Sequence, residues 1–177
     1  MIPAPIPAND NERLRALYQL LILDTPPEAR FDRIVAFAAD EFDVPMAQIS
    51  LIDQDRQWGK ARVGIDACEM PRGASVCGHV LQMPGGLVVP DLSADPRFQG
   101  NALLLDDLGA RFYAGSPLVM PDGHVMGALC VMDRQPRDFD ATDRAILDAL
   151  RDLVVMELAG QGEGSQTTGQ EKGDDAT

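Results

Sequence analysis

An α+β layer fold built on an antiparallel sheet of five or six strands is predicted by three features of the sequence. Amphipathic helical periodicity is confined to the two ends of the chain. Between them lie short β-rich runs, two of which meet at Pro121-Asp-Gly123, where an Asp-Gly pair favours a tight hairpin. Long stretches of turn formers interrupt those runs, whereas a parallel sheet would need regular crossover helices. At 177 residues the chain suits one domain with tails, and its 45% apolar content is enough for a proper core.

The elements follow in order. Residues 1–9 are Pro-rich and extended. From Asp10, Leu14, Leu17, Tyr18 and Leu21 mark one helical face, predicting a helix over 11–23. Thr25-Pro-Pro-Glu28 predicts the start of a second helix, with Thr25 as cap and Glu28 completing a capping box. Phe31, Ile34, Val35, Ala38 and Phe42 then form one stripe to about Glu41, and Pro45 stops the helix. Strands are predicted at 47–53 and 57–63, around the turn at Asp53-Gln-Asp55. Trp58, in the second, is expected to fill core or an interface.

Residues 64–73 read as irregular. Ser75 can cap a short helix to about Met83, ended by Pro84-Gly85-Gly86, and Leu87–Val89 reads as a short buried strand. Asp91 to Leu108 is a long loop containing a helical turn. Strands at 111–120 and 124–133 precede a last helix capped by Asp140, whose stripe is Ile146, Leu147, Leu150, Leu153, Val154 and Leu158. The polar tail, 161–177, is expected to be disordered and acidic. The folded domain is therefore placed at 10–160.

Charge narrows the function classes. The net charge of −13 argues against nucleic-acid partners, which need clustered Lys and Arg. Four acids and one base lie after Gly160, so 24 acids against 14 bases remain in the body. No run of 18 apolar residues exists, which predicts no membrane span, and the N-terminus lacks a secretory pattern, so a cytoplasmic location is expected. Cys68, Cys77 and Cys130 are then expected to be reduced, and they contain no C-x-x-C pair that would favour a metal.

Six segments carry a resemblance: LLILDTPPE (20–28), SLIDQDRQW (50–58), PRGASVCGHV (71–80), VVPDLSADPRF (88–98), RFYAGSPL (111–118) and GALCVMD (127–133). In this order they resemble a GAF domain, of the bacterial sensory type found alone or ahead of histidine kinases and diguanylate cyclases. The likeness covers residues 11–160. It implies a GAF/PAS-like fold, with the terminal helices on one sheet face and a lid of loops and a short helix on the other. It also implies a ligand pocket between sheet and lid, lined from Cys77, His79, Asp91, Arg97, Phe98, Asn101, Arg111 and Tyr113. It names no ligand, cofactor or metal, because the scaffold hosts unrelated small molecules. A homodimer through the terminal helices and a separate kinase, cyclase or regulator are the implied partners.

Each of those residues has a plainer role beside the functional one. Asp91, Asp95 and Arg97 suit either a ligand's charge or the pinning of a long loop whose backbone must be satisfied. Arg111 and Tyr113 are expected to share one strand face, from which at least one reaches the cavity. His79, two residues after Cys77, has no spaced second ligand and reads as a polar lining or surface residue.

The run ACEMPRGASVCG (67–78) also partly resembles free methionine-R-sulfoxide reductase, through Cys68, Pro71, Gly73, Val76, Cys77, Gly78 and Val89-Pro-Asp91. That family carries its attacking cysteine on the loop after the strand at 87–89. Here the loop DLSADPRFQGNALLLDDLG has none, and Cys130 reads as a buried packing residue. The expectation is a non-catalytic small-molecule sensor. The alternatives are a free methionine-R-sulfoxide reductase-like protein or a redox module using Cys68 with Cys77, or a dimerisation element without ligand.

Overall fold

The computed structural model describes residues 1–163, with side chains through 160. Helices α1 (Asp10–Gln19) and α2 (Ala29–Glu41) precede strands β1 (Met46–Ile52), β2 (Arg56–Val63) and β3 (Glu69–Pro71). A short helix α3 (Val76–Val80) and β4 (Leu87–Val89) follow, then β5 (Phe112–Val119), β6 (Val125–Asp133) and the long helix α4 (Ala141–Glu163). The strands form one six-stranded sheet in the order β3-β2-β1-β6-β5-β4, antiparallel at every pairing. This is the α+β layer fold expected from the pattern.

Both sheet faces are covered, so β1 is buried along its whole length. Ala47, Ile49 and Leu51 of β1, with Phe112, Ala114 and Leu118 of β5, pack on the apolar stripes of α2 and α4, where Phe31, Ile34, Val35, Leu147, Leu150, Val154 and Leu158 meet them. Trp58 joins this core from β2, 7% exposed. The alternate residues Met46, Ile52, Tyr113, Cys130 and Met132 face a second, smaller core beneath Val76, Val80, Leu81, Leu92, Phe98 and Leu104 of the lid. Period-two alternation thus sorts each strand between a helix layer and a lid layer.

Local chemistry explains the boundaries. Asp140 caps α4 as expected, accepting from Asp143 N at 2.8 Å while Asp143 Oδ2 accepts from Asp140 N at 3.0 Å. The β5–β6 hairpin closes through Gly123, whose φ of 89° lies in the left-handed region that glycine tolerates. Ser75 caps α3 by accepting from Gly78 N at 2.9 Å, but the helix ends at Val80 and only a turn continues to Met83.

Four expectations are corrected. The Thr25 hydroxyl donates to the Ile22 carbonyl at 2.5 Å and does not cap α2, which starts at Ala29 with Glu28 extended. Consecutive prolines force this, because each holds the residue before it out of the helical region. The buried Lys60 ammonium instead fastens the segment, bonding Thr25 Oγ and the Pro26 carbonyl at 2.7 Å each and pairing with Glu28 at 2.7 Å. α1 stops at Gln19, with Leu21 turned to a φ of 52°. The stretch 64–73 contains the edge strand β3 and a 3-10 turn at Arg72–Ala74. Finally, α4 runs to Glu163, past the boundary set at 160; the rest of the expected acidic tail, 164–177, lies outside the described residues.

The long loop 91–109 is built from a 3-10 turn at Leu92–Ala94 and a π turn at Leu103–Asp107. No described helix is long and apolar enough to cross a membrane.

Candidate functional site

Between the sheet and the lid lies a cavity of about 370 Å³. Its floor is the lid-facing side of the sheet: Gln48 of β1, Gln57 of β2, Tyr113 of β5, and Cys130 and Met132 of β6. Val76 and Cys77 of α3 form one wall, and Leu103, Leu104, Asp107 and Leu108 of the π turn another. The mouth is formed by 64–67 with β3 and by Arg134, where Asp66 and Asp107 stand with Glu69, itself paired with Arg56 at 2.8 Å, against the Arg134 guanidinium.

The inner lining is held in place by its own hydrogen bonds. Gln57 Nε2 donates to Gln48 Oε1 at 3.1 Å, and the Ser75 hydroxyl donates in turn to Gln57 Oε1, so the cap of α3 is tied to the floor. The Tyr113 hydroxyl and Cys77 Sγ are 3.0 Å apart. Burial, followed by the neighbouring sulfurs, pushes the Tyr113 phenol well above its ordinary range, so it stays protonated. Among the described residues no group of three His, Cys, Asp or Glu side chains is placed to share a metal ion.

Of the eight residues named for the pocket, Cys77 and Tyr113 line this cavity and six do not. His79 is buried edge-to-face against Phe98, with ring centroids 5.1 Å apart. Asp91 caps the 3-10 turn by accepting from Ser93 N at 3.0 Å. Arg97 pairs with Asp95 at 2.7 Å and lies over the Phe98 ring, and that pairing holds the Asp95 carboxyl below its usual range. Asn101 bridges the lid, donating to the Ala74 carbonyl at 2.9 Å and accepting from Leu104 N at 3.3 Å. Arg111 donates to the Leu105 and Ala110 carbonyls at 2.9 Å each. These six fasten the lid. Cys68 is exposed and lies outside the lining, while the sequence reading missed Gln48, Gln57, Asp66, Glu69, Asp107, Cys130 and Arg134.

A buried charge network ties the lid to the opposite layer. Asp10 at the start of α1 accepts from Arg13 Nε at 2.8 Å and from both Nη atoms of Arg72 at 2.8 Å. Arg13 also donates to the Ile52 carbonyl at 2.7 Å, and Arg72 to the Asp53 and Gln54 carbonyls at 3.3 Å. Arg13 is 2% exposed and Arg72 5%. The segment before α1 completes the roof. Ile2 N donates to the Arg97 carbonyl at 2.8 Å and Ala4 N to the Gly73 carbonyl at 3.3 Å, while a Cβ at Gly78 would stand 2.7 Å from the Ala4 methyl.

Similar proteins agree with this architecture. A GAF domain family model matches residues 26–158. A cyclic di-GMP phosphodiesterase of Pseudomonas aeruginosa is 35% identical over 159 residues, covering 89% of this chain and 27% of the phosphodiesterase. The chain therefore spans about a quarter of that relative's length. The GAF domain of an Acinetobacter phosphoenolpyruvate-protein phosphotransferase superposes with a TM-score of 0.63 at 22% identity, covering 88% of this chain and 96% of that one. Free methionine-R-sulfoxide reductase from Neisseria meningitidis, in complex with its substrate, gives 0.63 at 22% identity, with coverages of 93% and 99%. At those identities the two structures speak for the fold alone. With the family model across most of its length, this chain belongs to the GAF domain family.

Proposed function

We propose that the chain is a non-catalytic regulatory module that binds a small molecule beneath its lid and passes the bound state to a partner in bacterial, cytoplasmic signalling. One observation carries this reading: a half-open cavity of about 370 Å³, walled by apolar side chains and holding a few oriented polar groups. That is the usual makeup of a small-molecule site. The mouth's excess of carboxylates disfavours anions, so the guest is uncharged or cationic. Gln48, Gln57 and the Tyr113 hydroxyl supply its hydrogen bonds, and Val76, Leu104 and Met132 its apolar contacts.

The route out of the site is the Arg72–Asp10–Arg13 network, which joins the base of α3 to α1. A guest that binds two arrangements of the lid unequally shifts α1 with it. α1 and α4 then present a dimer surface; on α4, Leu153 is 47% exposed and Met156 68%. The output passes to a kinase, cyclase or regulator. Sulfoxide reduction is disfavoured because the loop on which the reductase family carries its attacking thiol borders the cavity only with Leu103, Leu104, Asp107 and Leu108.

Thermal denaturation against a panel of metabolites tests the proposal. A true guest raises Tm progressively with its concentration. The effect vanishes in Val76→Phe, which fills the cavity from α3. A panel that leaves both proteins unmoved, with a tight dimer in sedimentation, would instead favour a ligand-free dimerisation element.

A further inference from the structure

The cavity lining holds a thiol pair that the ligand-sensing reading does not use. Cys77 descends from α3 and Cys130 rises from β6, both buried and both lining the same cavity. α3 packs directly on β6, and the Cys77 and Cys130 thiols interact there. The Tyr113 hydroxyl approaches Cys77 Sγ at 3.0 Å. Backbone placement makes this convergence possible. Cys130 stands opposite Gly115 in the β5–β6 register. A Cβ at Gly115 would lie 2.2 Å from the Tyr113 hydroxyl, so the phenol lies across the space that glycine leaves.

The two sulfurs are not equivalent. Burial alone would raise the Cys77 thiol, but hydrogen bonds from Cys130, Ser50, Tyr113 and its own backbone hold it below its ordinary value. Cys130, as the donor in that pair and equally buried, is pushed well above its own. Cys77 is thus the more acidic thiol of the two, an arrangement suited to attack followed by resolution. Cys68, the other candidate partner for Cys77, is exposed and outside the cavity.

We propose that Cys77 and Cys130 form a two-electron thiol switch, oxidised to a disulfide by a hydroperoxide small enough to enter the cavity. The Cys77 thiolate attacks the terminal peroxide oxygen and the O–O bond breaks. The departing oxygen takes a proton relayed through the Tyr113 hydroxyl from solvent and leaves as alcohol or water. Cys77 is now a sulfenic acid. Cys130 attacks its sulfur, the S–S bond forms, the S–O bond breaks, and the hydroxide leaves as water with the Cys130 proton. Two thiols and one hydroperoxide thus give one disulfide, one alcohol or water, and one water, and the peroxide gains two electrons. An S–S bond of about 2.05 Å draws α3 onto β6 and narrows the cavity between them.

The test treats the full chain with hydrogen peroxide, blocks remaining thiols under denaturing conditions, and maps peptides without reduction. The expected result is a cross-linked peptide joining Cys77 to Cys130, loss of two of the three thiols, and recovery of both with dithiothreitol. Cys68→Ser gives the same cross-link. Cys130→Ser stops at a sulfenic acid on Cys77, trapped by dimedone. A Cys68–Cys77 cross-link overturns the proposal, as do three intact thiols after peroxide has oxidised the urea-unfolded chain. If Cys130→Ser does not fold, the map of the wild-type chain alone decides.

Discussion

Replacing Asp10 with alanine puts the link between lid and α1 to a quantitative test. The carboxylate accepts three charge-assisted hydrogen bonds, all at 2.8 Å, from two guanidiniums that are 2% and 5% exposed. Removing it leaves two buried cations facing each other without an anion. Breaking a buried pair in this way costs about 3–5 kcal/mol. With a urea slope of about 2 kcal/mol/M, the denaturation midpoint at pH 7 falls by about 2 M. The pH dependence gives a second reading. Burial would raise the Asp10 carboxyl, but Arg72 and Arg13 together hold it below its ordinary value of 3.8. A carboxyl lowered on folding adds stability that is complete above its unfolded pKa and is lost as pH falls through the folded one. Wild type and Asp10→Ala therefore stay separated from pH 7 to about pH 5 and draw together below about pH 4. A midpoint change below about 0.5 M, or a constant gap down to pH 3, would refute the assignment of Asp10 as the anchor of the network.

Lys60→Ala removes the fastener of the Thr25–Glu28 segment and is expected to cost about 2 kcal/mol, read as a Tm fall of about 6 °C; an unchanged Tm would mean that solvent replaces those bonds freely. Gly115→Ala drives a methyl into the Tyr113 hydroxyl, so the variant folds with a cost of about 1–3 kcal/mol and loses ligand-induced stabilisation; retained stabilisation would place the guest away from β5. Burial, with Arg97 nearby, lowers the His79 imidazole against the opposing pull of the Ile2 backbone and Asp95. Its contribution is therefore present above the ordinary histidine pKa and is lost as pH falls below about 6.5 toward the folded value. Hydrogen exchange at Ile2 and Ala4 should accelerate, beyond the intrinsic pH effect, between pH 7.5 and 5.5 in wild type but not in His79→Gln.

The fold was legible because its signals are local. The Asp-Gly turn, the caps at Ser75 and Asp140, and the stripes of α2 and α4 each declare themselves within a few residues. Thr25-Pro-Pro-Glu28 misled because it carries two local rules at once, and the restriction on residues preceding proline outweighed the capping box. The cavity was far less legible. Asp91, Arg97, Asn101 and Arg111 are polar residues in an irregular loop, where the bonds that pin a lid look like the groups that greet a ligand. Cys130 read as ordinary core because both sheet faces are buried, and alternation cannot distinguish cavity floor from packed interior. The mouth residues 64–67 have no period, and their role depends on β3 joining the sheet edge across 10–14 residues of intervening chain. Nothing local announces that pairing.

Native mass spectrometry of the full chain, expressed in its natural host and purified gently, addresses the cavity most directly. A non-covalently held mass of drug-like size or smaller, present on the wild-type protein and absent from an equally folded Val76→Phe variant, is the predicted result. A wild-type protein of bare polypeptide mass, unchanged in Tm by every metabolite offered, would contradict the account.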